Sequence, residues 1–156
     1  MMTEISVRVL VEFICRCGDI DSTRVSKGDM QLGTQIHRML QKQAGESYRA
    51  EVRLEHTFIY GDINMRVRGI ADGIDGEGED TVIEEIKTTA ASVDDITDEN
   101  KVHWAQGMFY AYIYAQQNGL SLISVRLLYC NSETYKTKSF QRRFSLDELA
   151  EFTDKI

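Results

Sequence analysis

Apolar residues repeat at helical spacing as far as Ala44 and at strand spacing from Tyr48 onward. A helix and a strand bury different subsets of the same residues, so this change of period divides the chain into elements before any other feature is considered. Ser6 reads as an N-cap, followed by Val7, Leu10, Val11 and Ile14 on one helical face, with Gly18 as the stop. Residues 19–28 read as a polar loop, and Asp29 to Ala44 as a second helix with the stripe Leu32, Ile36, Met39 and Leu40. Tyr48 to Tyr60 and Ile63 to Ile74 alternate as two strands around a tight Gly61-Asp62 turn. A Gly-rich turn at residues 75–80 leads to a third strand, Thr81 to Thr88. A polar loop, a helix from Glu99 to Asn118 stopped by Gly119, strands at Leu120–Tyr129 and Tyr135–Phe144, and a capping box at Ser145–Glu148 complete the chain. The order α-α-β-β-β-α-β-β-α predicts an α/β fold with a central mixed β-sheet flanked by α-helices.

The chain has 156 residues, the length of one domain, so residues 1–156 read as a single unit. The last helix has only about two turns before Ile156, which leaves room for a longer natural chain. Proline is absent, so Gly, Asn and Asp carry the turns. No apolar run approaches the ~20 residues that span a bilayer, and the N-terminus has no secretory pattern, so no membrane partner is expected. Three cysteines, an odd count without framework spacing, point to a reducing, cytoplasmic setting.

The net charge of −7 argues at first against a polyanionic partner. Its distribution changes that reading. Eleven acids and a single base, Lys87, fall between Asp72 and Glu99, and the remainder of the chain is mildly basic. Within this acidic segment Asp72 ends the second strand, while Glu85 and Lys87 leave the same face of the third. The Gly76–Gly78 turn folds Asp72 back beside Glu85. Two adjacent carboxylates repel unless a cation lies between them, and charges on an internal strand marked by Val82, Ile83 and Ile86 are costly. A divalent metal held by Asp72 and Glu85, with Lys87 nearby, accounts for all three.

An acid, a short gap and then Glu-x-Lys on the next strand resembles the PD-(D/E)XK nuclease superfamily, here as Gly69-Ile70-Ala71-Asp72 and Glu85-Ile86-Lys87-Thr88. Gln106-Gly107-Met108-Phe109-Tyr110 resembles the Q-x-x-x-Y signature of its RecB-type branch, and His37, within Gly33–His37, matches that branch's upstream histidine. The resemblance runs over residues 33–110. It implies a restriction-endonuclease-like core and metal-dependent hydrolysis of DNA phosphodiesters, exonucleolytic on single strands or ends, in repair or recombination. The implied partner besides DNA is a helicase, fused or associated. Asp72 and Glu85 would bind Mg²⁺ or Mn²⁺, with the Ile86 carbonyl available, and His37 would add an imidazole ligand. Lys87 would orient or deprotonate the attacking water. Gln106 and Tyr110, one turn apart, would position substrate or brace the site.

Glu51 and Glu55, at even spacing on the first strand, are further candidate carboxylates. Glu84 is read as structural, His103 as a surface residue, and His56 as facing away from Glu55. The basic run Lys136, Lys138, Arg142 and Arg143 stays open between a lysine-protected edge strand and a DNA-backbone patch. Cys130 is the one cysteine downstream of the motif, so the four-cysteine iron–sulfur cluster of some relatives is not expected here. Two rivals to hydrolysis remain: a catalytically silent DNA-binding or docking module of the same fold within a helicase assembly, and an unrelated domain with an accidental Glu-x-Lys. The intact Asp72, Glu85, Lys87 set speaks against the former.

Overall fold

The computed structural model describes residues 2–15 and 27–155, with the backbone alone for 27–30. Cys17, the stop at Gly18 and most of the 19–28 loop lie outside the described residues. In chain order the elements are β1 (Met2–Ser6), α1 (Val7–Ile14), α2 (Lys27–Gln43), β2 (Arg49–Tyr60), β3 (Ile63–Asp75), β4 (Val82–Thr89), α3 (Lys101–Asn118), β5 (Leu122–Asn131), β6 (Thr137–Ser145) and α4 (Leu146–Asp154). Two short 3-10 turns, Gly78–Asp80 and Val93–Asp95, interrupt the loops on either side of β4.

The strands form a six-stranded mixed sheet. β2 and β3 pair antiparallel along their length, closing at Tyr60 opposite Ile63 around Gly61, whose φ is +60°. β4 pairs antiparallel with β3 and parallel with β5, and β6 closes the far edge antiparallel to β5. The expected mixed sheet flanked by helices is therefore present. β1 was not expected. It pairs parallel with residues 64–68 of β3, yet its own five residues are mostly exposed and carry no alternating pattern, so only the tertiary partner makes it a strand. α2 begins at Lys27, two residues before the expected Asp29.

The caps are local and match the sequence. Ser6 Oγ accepts from Val9 N at 3.1 Å, and the Ser145–Glu148 capping box is complete. α3 starts on Asn100, whose side chain accepts from His103 N, and stops at Gly119 in the left-handed region. Between these caps α3 is buried on most sides, with Trp104, Phe109, Ile113 and the amide residue Gln106 all inaccessible. It lies on the sheet face that carries Glu85 and Lys87, against fully buried Ile83, Val125 and Leu127. α2 meets the opposite face, where Gly33 approaches Thr88. Each large apolar side chain in this core contributes about 1.5–3 kcal/mol relative to exposure.

Gly107 sets the approach of α3 to the sheet, because a Cβ there would overlap the Val125 side chain. Gly107→Ala gains about 1 kcal/mol of helix propensity against an overpacking cost of about 1–3 kcal/mol. We expect a net loss of about 1 kcal/mol in urea unfolding, abolished in a Val125→Ala background; an equal loss in both backgrounds would refute the contact.

Candidate active site

The site begins with the β3–β4 register. Gly73, Ile74 and Asp75 pair with Glu84, Ile83 and Val82, so the next step inward sets Asp72 across from Glu85. The connecting turn needs Gly76, with φ +78°, since a Cβ there would crowd the Asp80 carbonyl oxygen at 2.5 Å. Asp72 Oδ2 accepts from the Ile86 backbone N–H at 2.7 Å, which fixes the carboxylate against β4. On the other side of β3 the ladder omits the pair Glu51–Asp72, and Glu51 adopts a left-handed φ of 53°. The Asp72 carbonyl accepts instead from Gln41 Nε2 of α2, at 2.9 Å.

Glu85 is 5% exposed. Its Oε1 is buried without a hydrogen-bond partner among the described residues, and its Oε2 lies 3.8 Å from Lys87 Nζ. Burial, then the neighbouring Asp72 charge, push its carboxyl up to about 8, against the smaller downward pull of Lys87. A buried carboxylate oxygen left without a partner, opposite a second carboxylate, fits a divalent cation. Both are hard oxygen donors, the set that Mg²⁺ and Mn²⁺ take.

The remaining candidates arrive from the two helices. Lys87 Nζ donates to Gln106 Oε1 at 2.5 Å, so the buried amide of α3 holds the ammonium. Tyr110, one turn on and 6% exposed, lies over Gly69 of β3, where a Cβ would overlap its ring. Burial, Glu85 and Asp72 push its phenol up, so it stays protonated. His37 Nδ1 of α2 stands 3.5 Å from Asp72 Oδ1. Asp72, Glu85, Lys87, Gln106 and His37 are thus linked in one chain of contacts. Among the described residues, no three His, Cys, Asp or Glu side chains already converge as a closed metal cage.

Other candidates lie elsewhere. Glu55 is bound to Arg66, and Glu51 is exposed, so neither adds a carboxylate to Asp72 and Glu85. Glu84 faces away, bound by the Tyr48 hydroxyl at 2.8 Å and Arg126 Nε at 2.5 Å. His56 stacks edge-on to Phe58 and Tyr112. The cations of β6, and Lys136 just before it, are occupied within the chain: Lys136 by Asp94, Lys138 by the Ile96 carbonyl, Arg142 by Asp98 and Arg143 by Glu79. His103, expected at the surface, is instead half-buried, with Nδ1 2.8 Å from the Tyr129 hydroxyl. Burial, with Lys87 nearby, lowers its imidazole to about 4. Gln41 was missed by sequence reasoning. Its signal was present, since His37 and Gln41 share one face of α2 at i, i+4.

The raised Glu85 carboxyl links stability to pH. The folded protein keeps this proton between about 4.5 and about 8, where the unfolded chain has released it. The stabilisation is full below about 4.5 and is lost as pH rises through about 8. In EDTA, the melting temperature should fall across this window, and Glu85→Gln should flatten the slope. An identical slope in Glu85→Gln would refute the assignment.

Comparison with known proteins agrees with this geometry. A search of curated proteins finds no match. Among solved structures, the crystal structure of SSO0001 superimposes with a TM-score of 0.64 at 20% identity, over 98% of this chain and 75% of that one. At that identity the likeness speaks for the fold alone. The model of the PD-(D/E)XK nuclease superfamily matches residues 35–156, which include Asp72, Glu85, Lys87 and the helix of Gln106 and Tyr110. The chain belongs to the PD-(D/E)XK nuclease superfamily.

Proposed function

We propose that this chain is a metal-dependent deoxyribonuclease of the RecB type, acting as an exonuclease on single strands or ends. The observation that carries the reading is Glu85 Oε1, buried and unpartnered opposite Asp72, with Lys87 held beside it by Gln106. Membership of the nuclease superfamily supports DNA as the substrate. The RecB-type assignment rests on Gln106 and Tyr110 one turn apart on α3 and on His37 reaching Asp72 from α2. Action in repair or recombination beside a helicase is part of the same reading, and rests on the sequence resemblance.

Asp72, Glu85 and His37 would hold Mg²⁺ or Mn²⁺. A divalent ion so held polarises a phosphodiester and makes water more acidic. The chain's own groups do the rest. The Ile86 N–H and the Gln41 amide fix Asp72 in orientation through its carboxylate and its carbonyl. Gln106 cannot itself ionise, so its carbonyl oxygen holds Lys87 without neutralising it. The ammonium then orients the attacking water and offsets charge that develops on the phosphate. Tyr110, protonated and packed on Gly69, braces α3 against β3 at the level of the carboxylates.

Metal-dependent cleavage of end-labelled single- and double-stranded DNA tests this directly. Lys87→Ala should lower kcat at least ~100-fold while calorimetric metal binding stays close to wild type. Asp72→Ala should lose both. Cleavage retained in Lys87→Ala would overturn the role of the lysine. A folded wild type that binds metal and cuts no DNA would favour the silent module.

A further inference from the structure

A cavity of about 540 Å³ opens beside Lys87, between the C-terminal end of β4 and the start of α3. We propose that it seats the single unpaired nucleoside adjoining the phosphate presented to Asp72, Glu85 and Lys87, with Thr97, Asn100, His103 and Tyr129 as its walls. This rests on the hydrolytic reading above and assigns the substrate a position within it.

The first argument is charge. Among the described residues lining the cavity, Lys87 is the one charged side chain, and it stands at the end nearest the carboxylates. The body offers threonine hydroxyls, the Asn100 amide and the His103–Tyr129 pair. That is a lining for a base and a sugar, with the phosphate left to Lys87. The second is size. The volume falls in the range of sites for one small ligand, so an unstacked nucleoside enters and a base pair within a duplex does not.

The wall is also a built one. Residues 90–99 join β4 to α3 with only one 3-10 turn, yet side chains of three elements pin them. Asn131 Nδ2 donates to the Ala91 carbonyl at 2.8 Å and Lys138 Nζ to that of Ile96 at 2.8 Å. Lys136 pairs with Asp94 at 2.9 Å, and Trp104 Nε1 and Arg142 both donate to the Asp98 carbonyl. The acids Asp94 and Asp98 are thereby engaged, which reduces the repulsion a polyanion meets on entry. Such a long irregular segment, held in place next to a reactive centre, is a common form of binding loop.

The floor carries a hydrogen bond of its own. The Tyr129 hydroxyl lies 2.8 Å from His103 Nδ1. With the phenol donating to Nδ1, the neutral ring carries its proton on Nε2. His103 is then a donor for a base or sugar oxygen, kept uncharged by burial and oriented by Tyr129.

The test has two arms, with wild type, Thr97→Trp and His103→Ala compared in each. Thr97 is exposed at the rim, so tryptophan there fills the cavity without burdening the core. In the binding arm, dAMP is titrated by calorimetry in Mg²⁺. Wild type should bind, and both variants should bind at least about tenfold more weakly. In the cleavage arm, an abasic residue is moved one position at a time through a single-stranded oligonucleotide. Wild type should lose about tenfold in kcat/KM at the bond beside one abasic position, and Thr97→Trp should show no such dependence. Uniform cleavage of the abasic series by wild type, or dAMP binding that is absent or equal in all three proteins, would overturn the nucleoside seat. Thr97-dependent dAMP binding by a wild type that cleaves no oligonucleotide would keep the seat and overturn the hydrolytic reading.

Discussion

The site depends on burying one carboxylate. Glu85 sits on an internal strand between β3 and β5, under the helix α3, where an isolated negative charge is expensive. The surroundings answer that cost in a particular way. Glu84, its neighbour on the opposite face, is satisfied by Tyr48 and Arg126. Glu85 is left with an unpartnered oxygen, a second carboxylate across the ladder and an ammonium at 3.8 Å. Two adjacent glutamates on one strand thus have opposite fates. One is a closed structural ion pair, and the other keeps a buried oxygen without a partner among the described residues.

Both helices that reach the site do so to orient its members. From α2, Gln41 holds the backbone of Asp72 and His37 approaches its carboxylate. From α3, Gln106 holds Lys87. α3 can come so close only because residue 107 is glycine, and Tyr110 can lie on β3 only because residue 69 is. The Gln106–Tyr110 stretch of α3 is therefore as much a packing arrangement as a chemical one: a buried amide for the lysine, a glycine for approach and a tyrosine against the carboxylate strand.

The acidic segment between Asp72 and Glu99 divides along the same lines. Its first part contributes the carboxylates of the site. In its last part, Asp94 pairs with Lys136, just before β6, and Asp98 with Arg142 of β6. Neither a bare edge strand nor a DNA patch describes β6 well. Its cations fasten a loop whose inner side borders Lys87.

Much of this was legible along the chain. The hairpin, the caps at Ser6 and Ser145 and the stop at Gly119 are set by neighbours a few residues away, so periodicity and turn chemistry reach them. The joining of Asp72 to Glu85 and Lys87 was also legible, because a tight glycine turn and the two-residue strand repeat determine which side chains meet. Other features were decided only in three dimensions. β1 has no pattern of its own and becomes a strand through β3. The basic run at 136–143 looks available until the loop 42 to 44 residues upstream folds against it. His103, on α3, reads as a surface residue until Tyr129 of β5 covers it. In each case the deciding contact joins residues far apart in sequence, and no local propensity or spacing carries that information.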